Sequence, residues 1–281
     1  MTLTPRSQGG RRSAIEKVRT AVFLVALHAI PVVAIVTGTK ARDWLAFAVM
    51  YTVLGLLVGT GLHRYFAHHS FRTSRPFQFL LAWATCLNLT DPIGFAGKHR
   101  IHHRYSDTND DVHSPNDGWF SCWYWSLADD GLSDDDVVRA APDLARVPEL
   151  MVLHRWFWVP ALLFAVAMLA AGGFSFFAIG YVLPVVTVLN AASAVNYVCH
   201  RWGSRRFETG DLSRNNLWVA LISWGEGWHN NHHFYPGSAR SGFTWWEVDC
   251  NYYFIRLLAA LGIVWDVRGY PAHAQQRAEA L

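Results

Sequence analysis

Long charge-free runs alternate with polar stretches along the chain, and their lengths predict its elements. Ala21 to Gly38 forms 18 positions without a formal charge, interrupted only by His28 and Pro31, and Trp44 to Leu62 forms another 19. Each approaches the ~20 helical residues that cross a hydrocarbon core of about 30 Å. Trp156 to Cys199 runs for 44 residues without Asp, Glu, Lys or Arg. At about 1.5 Å per residue such a helix measures roughly twice a bilayer, so it has to fold back. Gly172-Gly173 is the natural place for the turn. The pattern predicts an all-α membrane protein of four transmembrane helices in two hairpins, near 21–38, 44–62, 156–172 and 174–198. A cytoplasmic helical cap completes a membrane domain over 21–267, with tails at 1–20 and 268–281.

Basic residues orient these spans. Arg6, Arg11, Arg12, Lys17 and Arg19 precede the first, and Arg64, Arg72, Arg75, Lys98, Arg100 and Arg104 lie between the second and third. The opposite side carries little beyond Lys40, Arg42 and Asp43. The positive-inside rule therefore places both termini and the two long polar segments in the cytoplasm. Three shorter apolar stretches fit interfacial, re-entrant or buried helices: Phe77 to Leu89, Trp119 to Leu127, and Tyr252 to Leu261.

Composition supports a hybrid of membrane and polar parts. Charged residues make up 16%, against the ~25% of soluble domains. Mean hydropathy is nevertheless only +0.13, too low for a chain that is membrane throughout. A net charge of +3 without a clustered basic face gives no reason to expect nucleic acid. Cys86, Cys122, Cys199 and Cys250 are widely spaced and read as ordinary thiols rather than a disulfide framework. No small-residue cleavage site follows the first apolar run, so a removed signal peptide is not expected.

Histidine changes the picture most. Nine of the 14 histidines fall in three clusters: His63, His68 and His69; His99, His102 and His103; His229, His232 and His233. The last two share the form H-x-x-H-H, which on a helix turns three imidazoles to one side. His63 and His68 are five apart, about 140° around an ideal helix, and need a distortion to converge. Imidazole is the commonest protein ligand for transition metals, and one ion takes four to six ligands. Eight or nine convergent rings therefore call for two metals. H-E-x-x-H is absent, and the Glu-x-x-His of carboxylate-bridged di-iron bundles occurs only at Glu226-Gly-Trp-His229. The expectation is an all-nitrogen dimetal site with Glu226 as an outer partner. A non-enzymatic protein that binds or transports metal is the rival class, and it calls for polar residues within the spans, which are nearly absent.

The motifs His63-Arg-Tyr-Phe-Ala-His68, His99-Arg-Ile-His-His103 and Glu226-Gly-Trp-His-Asn-Asn-His-His233 resemble the three histidine boxes of membrane fatty acyl desaturases. The stearoyl-CoA (delta-9) branch, in a bacterial type of chain, is the nearest match. The resemblance runs from about Gly59 to Val267, through Phe-Tyr-Pro after the third box and the tail Ala259-Ala-Leu-Gly-Ile-Val-Trp-Asp266. It implies a ninth ligand, His200 in Asn196-Tyr-Val-Cys-His200, and a metal-bound water held by Asn196. The implied ligands are then His63, His68, His99, His102, His103, His200, His229, His232 and His233, with Glu226 and Asp107 as outer partners. His69 stands where the family often has arginine and is left out, as are His28, His113, His154 and His273.

The resemblance also implies the chemistry: two Fe ions, with Zn as a substitute in purified protein, use O2 to place a cis double bond, at delta-9, in a saturated acyl chain. Methylenes are neither acidic nor polarised, so acid–base groups cannot do this work. Related hydroxylases, acetylenases and decarboxylases are the alternatives at such a site. Electrons come from an external ferredoxin, rubredoxin or cytochrome b5-type donor with its reductase. The acyl chain is carried by CoA or by a lipid: vertebrate acyl-CoA members have Arg-Asp before the second box, where this chain has Gly97-Lys98. Lys98, Arg100, Arg205 and Arg206 are the cations available to a phosphorylated carrier, and Trp83, Trp119 and Trp123 are candidate tunnel walls. The resemblance places the protein in a membrane as a multi-pass protein, the bacterial cytoplasmic membrane, with the active site on the cytoplasmic side.

Overall fold

A computed structural model describes residues 13–124 and 132–270. Helix α1 (Ala14–Thr37) starts earlier than its apolar run, within the expected tail. The reason is a reciprocal cap: the Ser13 hydroxyl accepts from the Glu16 amide, and the Glu16 carboxylate accepts from the Ser13 amide at 2.8 Å. The rest of that tail, residues 271–281 of the C-terminal tail and the end of the Trp119–Leu127 stretch lie outside the described residues. Helix α2 (Ala41–Leu56) continues without a break into a π-helical stretch, Leu57–Ala67.

Helix α3 (Arg75–Thr85) and α4 (Pro92–Tyr105) meet at 78°. Short helices follow: α5 (Trp119–Trp123), α6 (Asp134–Ala140), α7 (Pro142–Ala145) and α8 (Pro148–Arg155). Then come α9 (Trp158–Phe177), a π-helical turn at Ala178–Val182, and α10 (Leu183–Val198). After them come α11 (Leu217–Ile222), α12 (His229–Phe234) and α13 (Cys250–Ala260). Two-residue strands, β1 (Arg72–Thr73) and β2 (Val264–Trp265), pair antiparallel and tie the end of α13 to the exit of α2.

Among the described residues, three helical stretches are long and apolar enough to cross a membrane: Ala14–Thr37, Ala41–Ala67 and Trp158–Val198. Counting α3 and α4 as one bent span would make four. The last stretch is interrupted at Gly173, whose φ of 77° and ψ of −171° are open to glycine and strained for other residues. Phe164 and Tyr181, 17 positions apart in sequence, bring their rings within 5.0 Å beyond that break. One continuous helix would hold them about 25 Å apart. Val25, Val32 and Val36 of α1 are 59–80% exposed, an outward apolar surface suited to lipid rather than water.

A second apolar core lies under the exit of α2. Phe66 and Ala67 pack with Ala82 and Cys86 from the α3 segment, Ile93 and Ala96 of α4, and Leu150 and Leu153 of α8. This core fixes α4 against the end of α2 and so brings the first two histidine motifs together.

Candidate metal centre

Each histidine motif sits on an element that explains its direction. The first occupies the π-helical end of α2, where hydrogen bonds run from i+5 to i. The His68 amide donates to the His63 carbonyl at 3.2 Å, so the widened turn stacks two residues that an α-helix would splay apart. Helix α4 carries His99, His102 and His103, α12 carries His229, His232 and His233, and His200 follows the last turn of α10.

The nine rings sort into two groups. His63, His68, His99, His103 and His232 form one, and His102, His200, His229 and His233 the other, with ligand nitrogens in each group within 4.8 Å of one another. In the first, Nε2 atoms approach one another at 2.9 Å (His63–His232), 2.8 Å (His99–His68), 3.0 Å (His103–His99) and 2.9 Å (His232–His103). In the second, Nε2 of His229 lies 3.0 Å from Nε2 of His200.

Carboxylates fix the tautomer of four of the nine rings. The Nδ1 atoms of His102, His200 and His233 face carboxylates of Asp111, Asp107 and Asp211 at 2.9, 2.9 and 2.8 Å. His63 Nδ1 faces Glu226 in the same way. A neutral ring that donates through Nδ1 has only a lone pair on Nε2. On His63 and His200 that lone pair can accept from His232 and His229, but His102 and His233 Nε2 are buried with no hydrogen-bond partner. A buried unpaired acceptor costs about 1–3 kcal/mol, which a cation among the lone pairs would remove. Two nitrogens about 2.1 Å from one ion at right angles sit about 3.0 Å apart, the spacing found here. The residues fit a pair of metal ions.

Burial, and then repulsion from neighbouring imidazoles, pushes His229, His232 and His233 well below the ordinary histidine range. They are neutral at pH 7, the form that binds metal. Glu226 is also buried, which would raise its pKa, but His63 and the Arg64 guanidinium hold it down at about 2. Arg64 donates to Glu226 at 2.9 Å, meets Asp249 at 2.9 Å and donates to the Ala239 carbonyl at 2.7 Å. Asn251 adds a further hydrogen bond to Glu226 at 2.9 Å. It reaches that position because residue 59 is glycine: a Cβ there would lie 2.1 Å from the Asn251 amide nitrogen.

Residues 42–249 match the family model for fatty acid desaturases. The chain belongs to the fatty acid desaturase family. Relatives include the palmitoyl-monogalactosyldiacylglycerol delta-7 desaturase of Arabidopsis thaliana, 37% identical over 84% of this chain and 65% of its own. Delta-9 acyl-lipid desaturase 1 of the same plant is 37% identical over 83% of this chain and 77% of its own. The icosanoyl-CoA 5-desaturase of Limnanthes douglasii is 35% identical over 92% and 74%. The chain thus spans just under two thirds of the first relative and about three quarters of the other two. The family is one of oxidoreductases, and the relatives' names cover both lipid-linked and CoA-linked chains.

All nine histidines singled out in the sequence come together in these two groups. Asp107 and Glu226 lie where expected, each against a ring. Asn196 lies one helical turn before His200 and is half-buried. His69 is turned away to Asp143, at 2.8 Å. His154 pairs with Asp91, and His28 bonds the Leu24 carbonyl within its own helix. His113, set aside in the sequence, packs with its ring centroid 4.4 Å from that of His102, and His273 lies outside the described residues. Asp111, Asp211 and Asn251 escaped the sequence reading because they stand in loops or at a helix start with no periodicity to mark them.

Two of the candidate carrier cations are engaged elsewhere. Arg100 donates to the Phe66 and Ala67 carbonyls at 2.9 and 3.0 Å and pairs with Asp143, closing the end of the π-helical stretch. Arg206 pairs with Glu247 at 2.7 Å. Among the described residues, Arg205 pairs with the exposed Glu208 at 3.3 Å. Arg100→Met should lower stability by about 1–3 kcal/mol by stripping those carbonyls of their donor. Arg205→Met should change it by less than about 1 kcal/mol. Thermal unfolding of the two variants checks the contrast, and equal midpoints would show that Arg100 does not act as a cap. Of the candidate tunnel walls, Trp119 is half-exposed and Trp123 donates to Asn190 at 2.9 Å. Trp83 lines an apolar groove of about 490 Å³ with Phe79, Leu153 and Trp156.

Proposed function

We propose that this protein is an O2-dependent fatty acyl desaturase that introduces a cis double bond, at delta-9, into a saturated chain carried by CoA or by a lipid. The observation that carries the reading is the division of nine imidazoles into groups of five and four, with the buried Nε2 atoms of His102 and His233 left unpartnered. The nine rings would hold two iron ions, five rings for one and four for the other. Four spans in two hairpins hold the site at the cytoplasmic face, in keeping with the positive-inside pattern. The double-bond position and the iron come from the motif resemblance. The carriers follow from relatives named for lipid-linked and CoA-linked chains.

The overall change is balanced as –CH2–CH2– plus O2, two electrons and two protons giving –CH=CH– and two waters. When bound, the metal pair supplies the oxidising strength, drawn from O2, that unactivated C–H bonds demand. The chain's own residues supply the rest. Glu226, Asp107, Asp111 and Asp211 hold their rings in the tautomer that offers Nε2, fixing each ring's direction. Asn196, on the face of α10 that leads to His200, holds a water at the four-histidine group. Burial of the rings keeps bulk water from the reacting carbons. Methylenes are chemically alike, so apolar walls have to fix which pair is presented. Electrons arrive from a separate ferredoxin, rubredoxin or cytochrome b5-type carrier.

Expression in a desaturase-deficient host, followed by gas chromatography–mass spectrometry of total acyl chains, tests the proposal. New cis-monounsaturated chains are expected. Defined acyl-CoA and phospholipid substrates then identify the carrier. Hydroxylated chains, or no new product with iron bound, would overturn the desaturase reading.

A further inference from the structure

The two histidine groups do not lean on the same number of carboxylates. Three of the four rings in the smaller group are held by aspartates: His102 by Asp111, His200 by Asp107 and His233 by Asp211. In the larger group, among the described residues, His63 alone meets a carboxylate, and Glu226 shares itself with Arg64 at 2.9 Å. Other partners of Asp211 include the Thr209 hydroxyl and the Ser213 amide, and Asp107 also accepts from the Leu212 amide; all three are uncharged. Among the described residues, three carboxylates thus meet rings of the four-histidine group. One carboxylate, Glu226, meets a ring of the five-histidine group, and a cation, Arg64, offsets it.

A carboxylate on the far nitrogen makes an imidazole a stronger donor, and nearby negative charge favours the more highly charged state of a bound ion. We propose that the two groups are electrostatically inequivalent: Asp107, Asp111 and Asp211 make the four-histidine group the one whose iron is oxidised first and whose retention depends on aspartate. The inference rests on the di-iron reading above and adds a division of labour between its halves. The three aspartates act through their rings as positioning residues.

The test uses the full chain loaded with 57Fe, reduced to the diferrous state and titrated with ferricyanide. Each ferricyanide takes one electron from one Fe2+, giving Fe3+ and ferrocyanide. Mössbauer spectra resolve two iron sites, and Asp211→Asn and Glu226→Gln each perturb one of them, which assigns the signals. Asn at 211 keeps an acceptor for His233 Nδ1 and removes only the charge. At half-oxidation the ferric signal should belong to the site that Asp211→Asn perturbs. In that variant one of the two irons should also leave to a chelator about 10–100-fold faster, and Asp211→Glu should restore retention. If Asp211→Asn fails to fold, Glu226→Gln alone assigns both signals, because the undisturbed one is the four-histidine site. Ferric iron shared equally, or appearing first at the site moved by Glu226→Gln, overturns the proposal. A wild-type chain that holds fewer than two irons refutes the di-iron reading instead and takes this inference with it.

Discussion

His232→Ala should abolish acyl-chain oxidation and release one of the two metals. The Nε2 atom of His232 lies 2.9 Å from that of His63 and 2.9 Å from that of His103, so one ring bridges the first and second motifs. Alanine leaves the other rings of its group facing a void with no ligand at its centre. Loss of a mere outer partner already costs about 10–100-fold in affinity or activity, so loss of the ligand should cost at least about a hundredfold. Iron per chain, measured by mass spectrometry of the purified protein, should fall from two toward one. His69→Ala is the matched control. That ring is half-exposed and engaged by Asp143, and its removal should leave the iron content whole. Full iron and full activity in His232→Ala would refute the ligand assignment.

The largest stability effect is expected at Arg64. Its guanidinium is 1% exposed and serves two carboxylates, Glu226 and Asp249, together with the Ala239 carbonyl. Arg64→Met removes the cation and leaves both carboxylates buried. Breaking a buried pair from one side typically costs about 3–5 kcal/mol. Arg64→Lys should recover little of this, because a single ammonium cannot reproduce the planar fork that reaches all three acceptors. Pairing Arg64→Met with Glu226→Gln should recover part of the loss by removing one stranded charge. Denaturant or thermal unfolding in detergent checks the series. An unchanged midpoint in Arg64→Met would mean that water reaches these groups.

The positions of the ligands were legible in the sequence because histidine is scarce and these motifs repeat at helical spacing. Their division into two groups was not foreseen, although helix geometry explains it. On α4, His103 lies about 40° from His99 on one side and His102 about 60° on the other. His99 and His103 join one group and His102 the other. Helix α12 repeats the rule, with His229 and His233 together and His232 apart. The aspartates that hold the rings were harder. Asp111 and Asp211 stand in irregular loops, and what places them is the fold around α4 and α10. Likewise, the five-residue spacing of His63 and His68 signalled a distortion without naming it. The π-helical stretch spreads over 11 residues, Leu57–Ala67, and no proline or glycine pair marks its start. The bend between α3 and α4 was also invisible as such, since Phe77 to Leu89 looked simply too short to span.

The contact between Asn251 and Glu226 has a consequence in time. His63 emerges from the ribosome early, yet the carboxylate that orients it, and the amide that steadies that carboxylate, are made 163 and 188 residues later. At roughly 5–20 residues per second, that delay is on the order of ten to forty seconds. For most of it, the first two histidine motifs have been made and those partners have not. A metal ion that bound the first motifs before residue 251 was made would therefore meet an incomplete ligand set.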